Sequence, residues 1–308
     1  MYPLDTRNGL WYSVFKERKT MKITVQDFFK RFPDDDTCLN HVMTLRYGIK
    51  RDCLKCGQAT EYYRLSNRPA YSCKLCGHHI YPCAGTAFER TRTPLQLWFY
   101  AIYLFTTTRH GVPAKELQRQ LGVTYKTAWR MGHEIRKLMG AVDGDDGLSG
   151  HVEVDETYVG GRKHHGSAIG RPGPGNNKVT VFGMVERGGD LMTRVVPDAK
   201  NKTLFPIIYK NVAQGSTIST DEAPGYRSLR KLGYKHDSVC HGREQWVKGN
   251  THTQTIEGFW SHFKCSMRGT HRSISKQHMQ KYLVEFEFRF NLRRDSSSTM
   301  FDRLIQAF

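Results

Sequence analysis

Three carboxylates and four cysteines are the residues of this chain whose types and settings suit chemistry. Asp155 lies in "HVEVDETYV", where strand alternation puts His151, Glu153 and Asp155 on one face and Val152 and Val154 on the other. Asp221 closes "TISTDEAPG", where a strand runs out into a turn. Glu257 lies in "NTHTQTIEGFWSHFK", beside Ile256, Phe259, Trp260 and Phe263, which recur at i, i+3, i+4 and i+7 as one buried helix face. A carboxylate beside an apolar face is costly unless something positive holds it. Taken singly, each acid is better explained as a cap or a surface charge than as a ligand. Three at the ends of separate elements make sense if they converge on hard divalent cations, which take oxygen ligands. A pair of Mg²⁺ ions about 4 Å apart can activate a hydroxyl or water and stabilise the leaving oxygen of a phosphodiester.

The cysteines form "CLKCG" and "CKLCG", giving Cys53, Cys56, Cys73 and Cys76 with sixteen residues between the pairs. That spacing suits two knuckles on one structural, tetrahedral zinc, each followed by a glycine where the backbone turns tightly. In a reducing compartment such pairs read as metal ligands rather than disulfides. The "HVE" at 151–153 resembles the start of a zinc deaminase signature, but there the cysteine pair follows downstream, whereas here it precedes. The zinc site is therefore structural, and its ribbon is expected to touch DNA or a partner subunit.

The elements that must position these groups change character along the chain. Residues 22–50 read as a short helical lead-in with Phe28, Phe29 and Phe32 as its apolar side, and 92–139 read as helices. "AVDGDDGLSG" (141–150) reads as a linker. Beyond it come three alternating strands with "RGGD" as a hairpin turn. A helix follows with Asn201 available as its cap, then a strand, a helix ended by Gly233, a strand and closing helices. This is a mixed α/β sheet domain. Trp260 and Phe263 read as core.

Composition narrows the partner. With 47 Lys+Arg against 29 Asp+Glu, net +18, the chain calls for a polyanion. The longest apolar run, "LWFYAIYLF", has nine residues, against the roughly 20 of a membrane span. The first 25 residues carry no apolar signal core, so the expected setting is the cytoplasm, with nucleic acid rather than membrane as partner. Residues 109–137 hold seven Lys/Arg against two Glu in a helix, a turn at Gly122 and a second helix from about Tyr125. That second helix would bury Ala128, Ile135 and Leu138 and present Tyr125, Lys126, Thr127 and Arg130 near its start, where recognition helices make base contacts. An ordinary helical hairpin with a basic face has the same pattern. The stretch 161–178, with four Lys/Arg and no acid, reads as a loop able to clamp DNA through Arg162, Lys163 and Arg171, or as an insertion without function.

The segments "VEVDETYVGGR", "STDEAPGYRSL" and "HTQTIEGFWSHFK" resemble the three catalytic blocks of bacterial insertion-sequence DDE transposases, the ISXO-like superfamily related to eukaryotic Merlin elements. "YSCKLCGHHIYPCAGTAFERTRTPLQLWFYAIYLF" and "AKELQRQLGVTYKTAWRMGHEIRK" resemble that superfamily's zinc ribbon and helix-turn-helix, so the likeness covers roughly 22–294 in the family's order. It implies an α/β architecture: an RNase H-like mixed-sheet catalytic domain (151–294) after a lead-in (1–50), a zinc ribbon (51–91), a helix-turn-helix domain (92–140) and the linker, with a tail at 295–308. It implies Asp155, Asp221 and Glu257 as ligands of two Mg²⁺ (or Mn²⁺) ions, one structural Zn²⁺, and Lys264 as a contact to substrate phosphate. A solvated surface lysine is the alternative for Lys264. The implied activity is cleavage and strand transfer on terminal inverted repeats and target DNA, by a homodimer or larger assembly at the nucleoid. A regulator with an inert nuclease domain and a structure-specific nuclease are the competing readings.

Overall fold

The computed structural model describes residues 23–48, 51–143, 147–160, 178–221, 224–239, 247, 249–272 and 274–307. Two compact units divide them: residues 1–107 with 293–306, and residues 108–292. The span 92–140, expected as one DNA-binding domain, is shared between the two.

In the first unit, α1 (Val25–Arg31) starts at a capping box in which Thr24 and Asp27 satisfy each other's backbone N–H. Helix α2 (Asp35–Tyr47) follows, capped by Asp34. The ribbon carries a β1–β2 hairpin (Arg51–Asp52, Ala59–Thr60) and a sheet of β3 (Tyr62–Arg64), β4 (Tyr71–Cys73) and β5 (His79–Ile80). Helix α3 (Leu95–Thr107) buries Trp98, Phe99, Ile102 and Phe105. Within residues 295–308, expected as a tail, Ser297–Gln306 form a helix. Phe301, Leu304 and Ile305 give it a buried side, with Phe301 among Phe28, Phe32 and Phe99, and Asp302 pairs with Arg31 at 2.7 Å. Phe28 and Phe32 are buried as the lead-in pattern requires, but Phe29 is 47% exposed, its ring stacked on Tyr100 at the rim.

The second unit is built on a five-stranded sheet in the order β10-β9-β6-β7-β8. Strands β6 (His151–Val159), β7 (Val179–Glu186) and β8 (Leu191–Val196) form an antiparallel meander. Strands β9 (Thr217–Thr220) and β10 (Lys235–Ser238) add on parallel to β6. This is the RNase H-like sheet that the catalytic blocks implied. One face buries Val152, Val154, Phe182 and Met184 under Leu204 and Ile208 of α6 (Asn201–Asn211) and under Tyr226 and Leu229. The other buries Val181, Val185 and Leu191 under α7 (Gln254–Ser266) and α8 (Met279–Asn291). Gln280 and Glu287 of α8 bond the backbone of edge strand β8, at Val195 and Thr193, closing an edge that would otherwise template pairing.

Two local expectations shift. Asn201 is the first residue of α6 rather than its cap; Lys200 holds the cap position, and Asp198 takes the Lys200 N–H at 3.0 Å and the Thr203 hydroxyl at 2.7 Å. The segment Pro224–Leu232 winds as a 3₁₀ helix before Gly233, whose φ of +87° ends it. Ahead of the sheet, α4 (Ala114–Leu121) turns at Gly122, φ +65°, into α5 (Tyr125–Asp143). Helix α5 buries Ala128 and Ile135; Met139 is fully buried where the pattern pointed to Leu138, which is half-buried. It packs on α8 through a buried ion pair, Arg136 with Glu285 at 2.7 Å, which Arg289 joins at 2.8 Å.

Candidate active site

Register brings the acids toward one another. Asp155 lies on β6 opposite Gly183 of β7. A Cβ at Gly183 would stand 2.5 Å from the Trp260 ring and 2.9 Å from Ile256, so the glycine is what lets α7 lie close on the sheet. Burial of Ile256, Phe259, Trp260 and Phe263 fixes the face of α7, which leaves Glu257 on the open side with its Oε1 accepting the Thr253 hydroxyl at 2.7 Å. Asp221 follows β9 directly, at the end where that strand leaves the sheet beside β6.

The electrostatics record this convergence. Burial, then the charges of Glu156, Asp221 and Glu257, push the Asp155 carboxyl up to about 7. Lys264, one helix face along from Glu257, is half-buried; desolvation draws its ammonium down while the Asp155 charge works the other way. Asp221, Glu257 and Lys264 thus each lie near enough to Asp155 for charge to couple them to it. Arg162, Lys163 and Arg171 lie outside the described residues. On α5, Tyr125, Lys126 and Arg130 are exposed. Thr127 is half-buried, its N–H on the Thr124 hydroxyl at 3.2 Å, so it serves the helix start.

Sequence reasoning missed three supporting groups. Glu156, on the opposite face from Asp155, receives the Tyr226 hydroxyl, and burial raises its carboxyl above the ordinary range. Two successive acids inside a strand were the available signal. Glu153 is wholly buried and accepts Arg187 Nε at 2.8 Å, Thr255 N at 2.8 Å and Ile256 N at 3.2 Å. It thereby caps the first turn of α7 from the sheet face beneath it, where a carboxylate suits the helix dipole. Arg187 completes the anchor by donating to the carbonyls of His252, at 3.0 Å, and Asn250. No local pattern announces partners so far away in the chain.

In the ribbon, the Sγ atoms of Cys53, Cys56, Cys73 and Cys76 all lie within 4.8 Å of one another, and Cys53 and Cys76 are 3.6 Å apart. A tetrahedral zinc with bonds of about 2.3 Å sets sulfurs about 3.8 Å apart, so the donor set fits. The two knuckles repeat one design: Gly57 N–H bonds Cys53 O and Gly77 N–H bonds Cys73 O, with φ of +69° and +70° at the glycines.

The chain matches the ISXO2-like transposase domain over residues 147–291 and the transposase zinc-ribbon domain over residues 33–79. A transposase-like protein of Haemophilus influenzae is 32% identical over 99 residues, 32% of this chain and 79% of that protein. An uncharacterised protein in transposable element ISH50 of Halobacterium salinarum is 29% identical over 246 residues, 74% of this chain and 79% of the relative. Among solved structures, a pre-cleavage Mos1 transpososome is 12% identical with a TM-score of 0.26, over 68% of this chain and 77% of that one. The Mos1 strand transfer complex gives 11% and 0.29, over 67% and 75%. Fold and sequence together define a transposase with an RNase H-like DDE domain and a zinc ribbon. The chain belongs to the ISXO2-like transposase family. Among the described residues, no helix is long and apolar enough to cross a membrane.

Proposed function

We propose that the protein binds the terminal inverted repeats of its element, cuts DNA there and joins the freed 3′-hydroxyls to target DNA. The observation that carries this reading is the shared electrostatic locality of Asp155, Asp221, Glu257 and Lys264. Asp155, Asp221 and Glu257 would hold Mg²⁺ or Mn²⁺: all offer oxygen, and their mutual repulsion is the kind a divalent cation relieves. Bound there, such ions supply Lewis acidity toward a phosphodiester. The chain's own groups do the rest. Thr253 orients the Glu257 carboxylate, Glu153 fixes the helix under it, and Lys264 offers a point charge to a substrate phosphate. The reaction is phosphodiester exchange: the oxygen of water or of a DNA 3′-hydroxyl bonds to phosphorus, and the former P–O ester bond breaks. Tyr125, Lys126 and Arg130, exposed near the start of α5, would read base edges as the residues of a helix-turn-helix do, and the net charge of +18 suits phosphate contacts. Two ends must be brought together for joining, so the working form is at least a dimer.

Asp155→Asn, Asp221→Asn and Glu257→Gln test the site. Each is expected to lower cleavage and joining by at least about 10³-fold, with end binding within about twofold, because affinity rests on basic contacts. Cleavage near the wild-type rate in any one of them removes that residue from the site. For the ribbon, Cys53→Ser or Cys73→Ser is expected to release its zinc and unfold residues 51–82, since so small a unit has little core. Metal analysis that finds no zinc in the intact chain overturns that assignment.

A further inference from the structure

Beside the start of α5 lies a cleft of about 560 Å³, within the roughly 300–1,000 Å³ of small-ligand sites. Its walls are aromatic and its rim is cationic. Tyr125 and Trp129, one turn apart on α5, line it together with Tyr282 and His278 of the α8 region, the His278 ring meeting that of Trp129 edge-on at 5.2 Å. Lys115 sits 4.9 Å over the Tyr125 ring, and Arg272 stands at the lip. No acid lines it.

Three features in or directly behind this cleft have no account in core packing alone. Behind Trp129 lies His133, only 3% exposed, with neither ring nitrogen hydrogen-bonded; its ring is 4.0 Å from that of Trp129 and 4.8 Å from that of His278. Buried polar atoms are normally satisfied. Burial and the charges of Arg136 and Lys281 draw this imidazole down to about 3, so it stays neutral in a positive field. In the cleft wall, His271 Nε2 is likewise buried without a partner. The floor is made where α7 passes into a π-helical turn, Met267–His271, followed by Arg272 at φ +58°, a conformation costly for a side chain of that size. A strained backbone turn, an unsatisfied imidazole in the wall and a second one behind it, and tilted and edge-on aromatic rings thus meet in one place. A ligand suited to these walls is flat, able to accept hydrogen bonds and negatively charged.

A base paired within a duplex keeps its faces stacked on its neighbours, so rings such as these reach only a base that has left the stack. We propose that the cleft takes one unpaired nucleotide, its base stacked on the Trp129 and Tyr125 rings and its phosphate against Lys115 and Arg272. The nucleotide comes from DNA bound by the same chain, so the inference rests on the DNA-end reading above. It also gives the α4–α5 pair a second role beside base-edge reading, and one polypeptide run, α7 with its π-helical end, then serves both the acids and the cleft.

The full chain is tested on terminal-repeat duplexes that are either fully paired or carry one unpaired terminal 2-aminopurine, with anisotropy reading affinity and 2-aminopurine emission reading stacking. The unpaired duplex is expected to bind about tenfold tighter, with its emission quenched, as one base–aromatic stack provides. Trp129→Ala is expected to abolish both the quench and the preference while paired-duplex affinity stays within about twofold, and Trp129→Phe to restore most of each. Free 2-aminopurine nucleotide, quenched by wild type and by Trp129→Phe but not by Trp129→Ala, supports the cleft independently of any DNA end. Equal affinity for the two duplexes without a quench, where paired ends bind normally, overturns the cleft and leaves the end-binding reading standing. Trp129→Ala weakening both duplexes alike overturns it too. Failure of the paired ends to bind overturns the end-binding reading itself.

Discussion

Glu153 and Asp155 sit two residues apart on the same face of the same strand, and their surroundings are opposites. Glu153 is fully buried and fully matched, by the Arg187 guanidinium and two amides of the α7 first turn. Asp155 faces the charges of Glu156, Asp221 and Glu257, with the half-buried Lys264 as the cation acting on it. The first acid has its counter-charge built into the fold, and the chain uses it to fasten a helix. The second is set among acids of its own sign, and burial with their repulsion raises its carboxyl. Proximity in sequence therefore says nothing about surroundings here: one carboxylate is matched by the fold, and the other is crowded by acids.

The largest effect expected from breaking this contrast is at Glu153. Glu153→Ala strands the Arg187 charge and two helix amides, so a loss of about 3–5 kcal/mol of stability is expected by urea titration. Glu153→Gln, which keeps an acceptor for the amides, should lose roughly half as much. A loss under 1 kcal/mol in the alanine variant, the ordinary scale of a surface change, contradicts the anchor.

Asp155→Asn should do the reverse. In the metal-free protein the carboxyl titrates near 3.8 when unfolded and at about 7 when folded. The folded chain thus binds more protons between those values, and this group's contribution to stability falls as pH rises through that window. The asparagine variant is expected to be more stable than wild type by roughly 1–3 kcal/mol at pH 8 in chelator, a gain that shrinks toward pH 4. Adding Mg²⁺ should raise the melting temperature of wild type and leave the variant's nearly unmoved. A destabilised variant in chelator at pH 8 erases the distinction between the two acids.

The smallest effect belongs to Thr253, whose hydroxyl reaches Glu257 at 2.7 Å. Thr253→Val is expected to cost about 1 kcal/mol, one hydrogen bond, and to slow cleavage about three- to tenfold with DNA affinity unchanged. An unaltered cleavage rate shows that Glu257 holds its position without the threonine.

Much of this was legible before any coordinates. Alternation in "HVEVDETYV" shows a strand and its two faces, and the spacing of Ile256, Phe259, Trp260 and Phe263 shows which side of α7 is buried, because both signals are local and periodic. The cysteine pairs were readable for the same reason. The Glu153 anchor was not: Arg187 lies 34 residues away, and the amides it caps 102 and 103. Gly183 looked like any strand glycine until the β6–β7 register set it opposite Asp155 and under Trp260. Residues 295–308 looked like a tail because a short helix has no reason to form until Phe301 meets the aromatic cluster of Phe28, Phe32 and Phe99.

The reach from Glu153 to α7 also has a consequence in time. Ribosomes add roughly 5–20 residues per second, so about 5–20 s separate the emergence of β6 from that of the helix 102 residues later that it must hold. Until then the strand bearing Asp155 has been made but Glu257 does not exist, and the buried acid that seats its helix has nothing to seat. A nascent chain, or one cut short by a premature stop ahead of residue 253, carries part of the acid set without the lock that completes it. The action on DNA proposed for these carboxylates would thus be withheld from unfinished copies still tethered to their message, with the order of translation as the safety catch.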